Sequence, residues 1–504
     1  MPGQGYTAPM KFVQLTPAAC YQAMKSHDAR FDGRFFVGVA TTGIYCRPIC
    51  RVRLPRAENC SFHPSAAAAE AAGFRPCLRC RPELAPGFAV TEAGATLARA
   101  AARMIEDGIG DSIDLAHIAG RVGVTDRHLR RIFMEEFGVT PIQFAQTHRL
   151  LLAKRLLTDT RLAVSEVAFA SGFSSVRRMH ALFAQRYGFS PGRLRTDGRS
   201  SGIDGDADAL GFVLPYRPPY DFPRLLGFFD RRAIPGVESV DGEAYRRIVR
   251  IESDAGTVRH GWLEVSCLPQ RDALQLRFSA DLAAATPRLL ARTRRVFDVA
   301  ADPREIGATL GALASGVEGL RLPGSYDAFE LAIRAILGQQ VTVQAARTLA
   351  TRFVAAFGEP VATPFADLTR AFPTPARVAA ATRDDIGRLG IGGQRAEAMI
   401  AIAKGVNSGE LPLDDLQDPA RTIDALGAIR GIGPWTAHYI AMRALAWPDA
   451  WPPRDVALLK ALGLPNTALG QRAADARAEA WRPWRSYAVL HLWRRLERPA
   501  DKEI

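Results

Sequence analysis

The chain has 504 residues, 48% of them hydrophobic, and a formal net charge of +13. This length suits three or four domains, each with its own core. The sequence has no run of about 18 apolar residues, which excludes a membrane-spanning helix, and its start lacks a basic-then-apolar signal pattern. We therefore expect a cytoplasmic protein with reduced thiols and no membrane partner.

The basic excess lies in the first two-fifths of the chain. Residues 1–200 carry 27 Lys and Arg against 16 Asp and Glu, whereas residues 201–504 carry 38 against 36. Such a local excess indicates a polyanion partner for the first part. The charge does not distinguish DNA from RNA or a membrane surface, and a solvated basic face would give the same count.

Five of the seven cysteines fall between Cys46 and Cys80. Cys46 and Cys50 form a CxxxC pair, and Cys77 and Cys80 form a CxxC pair after 26 intervening residues. Two close pairs across such a loop are typical of tetrahedral Zn²⁺ with four thiolate ligands, and free thiols are the alternative. The other cysteines are expected to be small buried residues: Cys20, Cys60 and Cys267.

Seven arginines surround the two cysteine pairs. A four-thiolate zinc site has a formal charge of −2, so these side chains would balance the thiolates and could also hold phosphate. The alternative is a purely structural zinc site, since closed four-ligand sites are usually structural. The arginines are Arg47, Arg51, Arg53, Arg56, Arg75, Arg79 and Arg81.

Residues 35–53, FFVGVATTGIYCRPICRVR, and residues 71–80, AAGFRPCLRC, closely resemble the N-terminal zinc domain of the Ada family of methylation-response proteins. The resemblance implies that Cys46, as one zinc ligand, accepts a methyl group from a DNA methylphosphotriester. A zinc-held thiolate stays deprotonated and nucleophilic at neutral pH. The transfer would be stoichiometric, and losing one negative charge would raise DNA affinity. We assign Thr42, Arg53 and Arg75 to DNA contact in this domain, residues 1–88.

Two similar helix–glycine turn–helix patterns follow within residues 89–196. The first runs from Leu115 through Gly123 into residues 127–137, and the second, 49 residues later, from Val164 through Gly172 into residues 176–187. Both second helices combine an apolar stripe with arginines, and an ordinary helical bundle is the alternative. We expect four of these arginines to contact DNA: Arg127, Arg130, Arg177 and Arg178.

Two such units joined by one helix resemble the AraC-type DNA-binding domain, which also follows the zinc module in Ada proteins. Units about one DNA turn apart would contact successive major grooves. The resemblance implies promoter DNA and RNA polymerase as partners. Residues 197–209 are polar and rich in Gly, Ser and Asp, so we predict a flexible linker there.

The stretch Ile429–Lys460 has three features of interest. Gly431 and Gly433 form a tight turn that can present backbone N–H groups to a phosphate. Trp435 and Tyr439 follow on one helix face, and Asp455 stands just before another helix. The alternative is an αα-hairpin with core aromatics and an Asp N-cap.

The segment from residue 210 onward resembles 3-methyladenine DNA glycosylase II, of the helix-hairpin-helix superfamily. The segments that carry the resemblance are YRPPYDFPRLLGFFDRRAIPGVE, LRLPGSYDAFELAIRAILGQQV, IRGIGPWTAHYIAMRA, PPRDVALLK and WRPWRSYAVLHLW. The resemblance implies base flipping and hydrolysis of the N-glycosidic bond of an alkylated base, with Asp455 as the catalytic carboxylate. Four aromatic residues match the base pocket of the family: Trp435, Tyr439, Trp493 and Phe228.

Three absences refine this interpretation. The position of the Schiff-base lysine in bifunctional lyases holds Trp435, and after residue 200 the only cysteine is Cys267, so we expect a monofunctional enzyme without an iron–sulfur cluster. No Pro-Cys-His-Arg tetrad occurs, so we predict no repair of O6-methylguanine. The position that wedges into DNA in the family is matched by Gln340, which is polar.

The predicted fold class is a multidomain, mainly α chain with α+β parts. It comprises the small zinc domain, the tandem helix-turn-helix domain, a small antiparallel α+β domain at 210–297 and a helical helix-hairpin-helix domain at 298–504. The predicted function is a bifunctional alkylation-response protein. One rival is a transcription regulator whose second half only grips DNA, and another is a repair enzyme with no promoter.

Overall fold

The computed structural model describes residues 15–86, 97–106, 114–160, 162–197, 209–252, 258–411, 413 and 419–496. Most of the linker predicted at 197–209 lies outside them. Two small sheets are embedded in a chain that is otherwise mainly helical, which confirms the predicted fold class. Within the described ranges, every helix is too short or too polar to cross a bilayer.

The first sheet places the two cysteine pairs side by side. Its strands lie in the order β3-β1-β2-β4, and β2 and β4 are parallel neighbours with Tyr45 opposite Pro76. Because Cys46 and Cys77 each directly follow these paired residues, the two pairs meet at one end of the sheet. The elements are α1 (Pro17–Lys25), β1 (Phe36–Val39), β2 (Ile44–Cys46), β3 (Cys60–His63), α2 (Ala66–Ala71) and β4 (Arg75–Pro76).

The next helices contain two copies of one local design. Helices α5 and α8 both have 12 residues, begin after a hydroxyl N-cap (Thr125, Ser175) and end at a left-handed glycine (Gly138, Gly188). A β-carbon would strain the left-handed backbone, which explains the glycines. The helices are α3 (Leu97–Glu106), α4 (Leu115–Arg121), α5 (Asp126–Phe137), α6 (Pro141–Asp159), α7 (Val164–Ala170), α8 (Val176–Tyr187) and α9 (Pro191–Asp197).

An antiparallel five-stranded sheet follows, in the order β5-β9-β8-β7-β6. Its alternating strands bury Phe212, Leu263 and Phe278 against two helices. The elements are β5 (Ala209–Pro215), α10 (Phe222–Asp230), β6 (Glu238–Asp241), β7 (Ala244–Glu252), β8 (Val258–Leu268), β9 (Ala273–Ser279) and α11 (Thr286–Val296).

The last part is helical and has two cores. One core surrounds Ile336, Met399 and Ile440, and the other surrounds Leu458 and Val489. The helices are α12 (Pro303–Leu310), α13 (Ala328–Leu337), α14 (Val343–Phe357), α15 (Pro375–Ala379), α16 (Arg383–Gly387), α17 (Gly393–Ser408), α18 (Pro419–Gly427), α19 (Pro434–Ala444), α20 (Val456–Ala461), α21 (Ala468–Ala478) and α22 (Arg485–Arg494).

The second helix-turn-helix unit packs against the five-stranded sheet. Phe183 and Met179 of α8 belong to the same buried cluster as Phe212 and Leu276 of the sheet. The Arg155 guanidinium of α6 donates to the Val213 carbonyl (2.6 Å) and lies 5.1 Å from the centre of the Phe212 ring. The two halves of the chain are therefore in direct contact around the predicted linker.

A buried carboxyl group joins the cysteine-rich sheet to the helices. Glu70 of α2 is 4% exposed and accepts hydroxyl hydrogen bonds from Tyr45 (3.2 Å), Thr147 (2.9 Å) and Tyr187 (3.3 Å). Burial raises the pKa of Glu70 to about 7, and these hydrogen bonds oppose that rise. One side chain thus links three elements: β2, α6 and the end of α8.

Four charged side chains connect the five-stranded sheet to α13. Glu330 accepts from Arg247 of β7 (2.7 Å) and from Arg334 (2.8 Å), which also donates to Glu238 of β6 (2.6 Å). Glu330, Arg247 and Glu238 are all buried. Removing one member of such a buried network leaves an uncompensated charge.

We expect Glu330→Ala to lower the free energy of unfolding of this region by about 3–5 kcal/mol, because the buried Arg247 would lose its close partner (2.7 Å) and keep only the longer ion pair with Glu238 (3.7 Å). All seven tryptophans lie between residues 262 and 493, so denaturant unfolding followed by tryptophan fluorescence reports on this half alone. The control is Glu397→Ala, which breaks the exposed pair with Arg383 in the same half of the chain and should cost less than about 1 kcal/mol. Equal effects of the two substitutions would contradict the importance of the network.

Candidate functional site

A tight turn joins α18 to α19 and anchors one wall of a deep cleft. Gly431 has a φ of +94°, and a β-carbon there would lie 3.3 Å from the Ala398 β-carbon. The Gln339 side-chain amide donates to the Gly431 carbonyl (2.9 Å) and to the Thr436 hydroxyl (3.1 Å). Gly433 is exposed at the N-cap of α19, where free backbone N–H groups can meet an anion.

Asp455 lines this cleft and is held by three N–H donors. Its Oδ1 accepts from the backbone N–H of Leu458 (3.0 Å), so Asp455 caps α20. Its Oδ2 accepts from the indole N–H groups of Trp435 (2.8 Å) and Trp493 (3.2 Å). The carboxyl group is 7% exposed and therefore has a single defined orientation in a largely dry site.

Three of the aromatic residues predicted for the pocket lie together, and two of them also bind Asp455. The Trp435 and Tyr439 rings are nearly parallel, with centroids 5.1 Å apart and an interplanar angle of 8°. The Trp493 ring lies 6.3 Å from that of Tyr439 at 44°. Because both indole N–H groups bind Asp455, these two tryptophans also fix the carboxylate. The sequence resemblance did not indicate this second role.

Phe228, predicted from the α+β domain, lies on α10 and faces two arginines. The guanidinium of Arg232 is 3.8 Å from the Phe228 ring centre, and that of Arg443 is 4.7 Å away. Together with Trp435, Tyr439, Trp493 and Asp455, these side chains line a cleft of about 1180 Å³ between the sheet-containing part and the helices. The cleft is large enough for a nucleobase and its sugar.

The prediction from sequence missed Arg232 and Arg443. Burial raises the pKa of Tyr439, but the positive charges of Arg443, Arg232 and Arg334 outweigh burial and lower it overall. Arg443 follows Tyr439 by four residues and Trp435 by eight, so the helical spacing alone places it on their face. That spacing was the available signal.

Gln340, the predicted wedge position, is exposed at the rim of the cleft and has a φ of +54°. The carbonyl of its neighbour Gln339 accepts from Arg395. Arg454, directly before Asp455, also has a positive φ (+59°) and its backbone N–H donates to Gln471 (2.9 Å). Strained backbone of this kind concentrates at functional sites.

The four predicted ligand cysteines lie together. The sulfurs of Cys46, Cys50, Cys77 and Cys80 are all within 4.8 Å of one another. Tetrahedral Zn²⁺ with a Zn–S distance of about 2.3 Å separates its sulfurs by about 3.8 Å, so the cluster fits this ion. The backbone N–H of Arg47 donates to the Cys80 sulfur (3.4 Å), as is common around thiolate ligands.

The other cysteines were only partly predicted. Cys20 is buried, as expected, whereas Cys60 and Cys267 are partly exposed. Cys60 lies at the start of an outer strand and donates to the Arg56 carbonyl (3.3 Å). Because an edge strand has a neighbouring strand on one side only, Cys60 is less covered than we predicted.

Two of the seven arginines around the cysteines are committed to internal ion pairs. Arg47 is buried against Asp32, and Arg81 pairs with Glu83 (3.0 Å) and Asp159 (2.7 Å). The remaining five are exposed: Arg51, Arg53, Arg56, Arg75 and Arg79. Arg56 pairs with the exposed Glu58 (3.6 Å), so the other four are the ones most available to a phosphate. Thr42, predicted to contact DNA, is exposed in the turn between β1 and β2 and donates to the Val39 carbonyl (3.3 Å).

The predicted DNA-contacting arginines of the helical repeats are exposed on α5 and α8. Arg130 pairs with Asp126 of its own helix (3.1 Å). In the part of the chain that the structure describes, the side chains of Arg127, Arg177 and Arg178 make no ion pair or hydrogen bond. These three guanidinium groups are therefore free to reach an external partner.

Comparison with known families matches the chain in four consecutive segments. Residues 19–83 match the metal binding domain of Ada, and residues 118–197 match a helix-turn-helix domain. Residues 211–327 match the AlkA N-terminal domain, and residues 333–486 match the HhH-GPD superfamily of base excision DNA repair proteins.

Three relatives illustrate how these segments are combined elsewhere. "DNA-3-methyladenine glycosylase 2" of Escherichia coli is 37% identical over 56% of this chain and 96% of its own length. "Bifunctional transcriptional activator/DNA repair enzyme Ada" of the same organism is 38% identical over 28% of this chain and 38% of its own length. A Mycobacterium tuberculosis protein, "Probable bifunctional transcriptional activator/DNA repair enzyme AlkA", is 39% identical over 96% of this chain and 97% of its own length. Since that similarity spans both proteins almost completely, the chain belongs to the family of AlkA bifunctional transcriptional activators and DNA repair enzymes.

Proposed function

We propose that the chain is a bifunctional protein of the response to DNA alkylation. Its second half is a DNA glycosylase of the 3-methyladenine type, and its first half is a methyl acceptor and transcription activator. The carboxylate of Asp455, held by two indole N–H groups at the wall of the cleft, is the observation that carries the glycosylase assignment. We also propose that the domains and the linker end at residues 88, 196, 209 and 297, as the sequence predicts.

The cleft suits hydrolysis of an N-glycosidic bond. A base flipped from duplex DNA would enter it, and the sugar would follow with C1′ toward Asp455. As the C1′–N bond breaks, its electron pair leaves with the base and positive charge develops on the sugar. The fixed carboxylate stabilises that charge, and a water oxygen then bonds to C1′ and releases one proton to solvent, which leaves a hydroxyl group on C1′.

The products are a free base and an abasic site, with the strand intact. A lyase needs an amine to form a Schiff base with the sugar, and the matching position holds Trp435, whose N–H is bound to Asp455. Monofunctional hydrolysis follows from this substitution. The same arrangement disfavours the rival in which the second half only grips DNA, because grip alone does not need a buried, oriented carboxylate.

The first half would act on the phosphate backbone of damaged DNA. When bound, Zn²⁺ would keep the four cysteine sulfurs as thiolates. The Cys46 sulfur attacks the methyl carbon of a methylphosphotriester. The carbon–oxygen bond breaks, and its electron pair returns to the phosphate oxygen. The choice of Cys46 among the four sulfurs comes from the family resemblance, since Cys50 and Cys77 are equally buried.

The regulatory role uses the exposed arginines on α5 and α8. Duplex DNA, as damaged substrate and as promoter, is the partner of both halves, and RNA polymerase and a cytoplasmic location belong to the same proposal. Methylated Cys46 carries one negative charge less, so repulsion from DNA phosphates falls. Only Cys267 follows residue 200, and we propose that no iron–sulfur cluster is bound.

Asp455→Asn should lower base release from methylated duplex DNA by roughly 10²-fold or more, because the amide cannot stabilise a developing positive charge. Single-turnover release of methylated bases and DNA binding are measured side by side, and binding should persist. The matched control is Asp475→Asn. Asp475 also accepts an indole N–H, from Trp451 (3.0 Å), but lies outside the cleft. Undiminished turnover of the Asp455 variant would refute the assignment.

Incubation with methylphosphotriester DNA should add one methyl group to the protein, and peptide mass spectrometry should place it on Cys46. The Cys60→Ser variant should be methylated normally, because Cys60 lies outside the sulfur cluster. A methyl group on Cys50, or none on any of the four cysteines, would show that the assignment of Cys46 as the methyl acceptor, made by resemblance to the family, is wrong.

Protein methylated at Cys46 should bind its own promoter more tightly than the unmethylated form and more tightly than random duplex. Affinities are compared at two fixed salt concentrations, since phosphate contacts dominate non-specific binding. Arg178→Ala should weaken both complexes and reduce the salt dependence by about one ion. Equal affinity for promoter and random DNA in both forms would instead support the repair enzyme without a promoter.

A further inference from the structure

Tyr439 and Arg443 form a hydrogen-bonded pair inside the cleft that no step above has used. Arg443 is 5% exposed, and one of its terminal N–H groups donates to the Tyr439 hydroxyl oxygen (2.8 Å). Its other N–H groups donate to the backbone carbonyls of Pro323 and Gly324 (3.1 Å to the latter). The guanidinium is therefore held in one position by three acceptors.

This arrangement determines what the Tyr439 hydroxyl can do. Its oxygen already accepts from Arg443, and among the described residues it has no other hydrogen-bond partner. The hydroxyl hydrogen is thus free to be donated into the cleft, which Tyr439 lines. The neighbouring charges of Arg443 and Arg232, which lower the Tyr439 pKa against the effect of burial, make this hydroxyl a stronger donor than an ordinary phenol.

The cleft has two electrostatically distinct sides. Asp455 provides the negative side, between the Trp435 and Trp493 indoles. Arg232 and Arg443 provide the positive side, around Phe228. A positively charged base gains from the first side and is repelled by the second. A base that leaves with negative charge gains from the second.

Resting on the proposed glycosylase activity, we propose that Tyr439 is a catalytic hydrogen-bond donor to the departing base, positioned by Arg443, and that it serves neutral lesion bases. When the C1′–N bond of a neutral base breaks, the electron pair leaves a negative charge on the base. The Tyr439 O–H stabilises that charge without transferring its proton. Water then supplies hydroxide to C1′ and its remaining proton to the base. A cationic alkylated base leaves neutral and needs this donor less.

The test compares two single-lesion duplexes under single-turnover conditions. One carries deoxyinosine, a neutral purine with a carbonyl acceptor, and the other carries 7-methyldeoxyguanosine, which has a fixed positive charge. Tyr439→Phe keeps the stacked ring and removes only the hydroxyl. We expect it to slow hypoxanthine release by roughly tenfold to a hundredfold and 7-methylguanine release by no more than about threefold.

Two further variants separate this role from a structural one. Tyr220→Phe is the matched control, because its ring also lies against an arginine, Arg321 (4.6 Å), while its hydroxyl donates to the Phe297 carbonyl and Tyr220 lies outside the cleft. It should leave the ratio of the two rates unchanged. Arg443→Lys should shift the ratio in the same direction as Tyr439→Phe, and the double variant should add little, since the two residues act as one unit.

Equal slowing of both substrates by Tyr439→Phe, or no slowing, would overturn the inference. A wild-type protein that releases 7-methylguanine but no hypoxanthine would overturn it as well. A wild-type protein that releases neither base would refute the proposed glycosylase itself, so the two failures are distinguishable.

Discussion

Buried guanidinium groups that donate to loop carbonyls connect the parts of this molecule. Arg321, 2% exposed, donates to the carbonyls of Asp298 (3.1 Å), Ala301 (2.7 Å), Arg217 and Pro219 (2.9 Å). Loop carbonyls lack the partners that a helix or sheet provides, and each one left unpaired in a buried site costs about 1–3 kcal/mol. The planar guanidinium supplies five donors and can satisfy several of them at once. These loops can therefore be buried where the sheet-containing part meets the helices.

Hydrogen bonds from arginines to carbonyls also link the cysteine cluster to the cleft. Arg217 donates to the carbonyls of Ala300 and Asp32 (3.3 Å to the latter), and the Asp32 carboxylate pairs with Arg47. Arg47 in turn contacts Cys80 through its backbone N–H and its side chain. Toward the cleft, Arg443 donates to the carbonyls of Pro323 and Gly324, which closely follow Arg321 in the chain. The cysteine cluster and the cleft are thus connected by a series of buried polar contacts.

The sequence was most informative where chemistry demands fixed spacing. The two cysteine pairs, the repeated helix–turn–helix pattern and the hairpin with Asp455 were each identified from residue order alone. The structure confirms the helices and strands that surround them. Local rules such as the N-cap preference for Asp also applied, since Asp455 does cap α20. These features depend on neighbours within a few residues, which the linear pattern contains.

Features that depend on contacts between distant segments were not predicted. The second helix-turn-helix unit shares a buried cluster with the five-stranded sheet, which joins residues as far apart as Phe183 and Leu276 across a segment predicted only as a flexible linker. Arg232 and Arg443 reach the cleft from different domains, and a single arginine in a helix resembles any solvated charge. Cysteine is a residue type that is usually buried, but the strand that contains Cys60 lies at the edge of its sheet. In each case the missing information was which surfaces pack together.

The replacement of an amine by Trp435 shows how one position can determine the reaction. A lysine there would bring a positive charge within contact of Asp455 and would neutralise the carboxylate. An indole N–H also fixes the carboxylate, at 2.8 Å, but adds no formal charge. In the proposed reaction, the negative charge of Asp455 thus remains available to a positive sugar. Because an indole N–H cannot attack C1′, the proposed mechanism has water as the nucleophile, and the residue that preserves the carboxylate charge is also the one that excludes an amine.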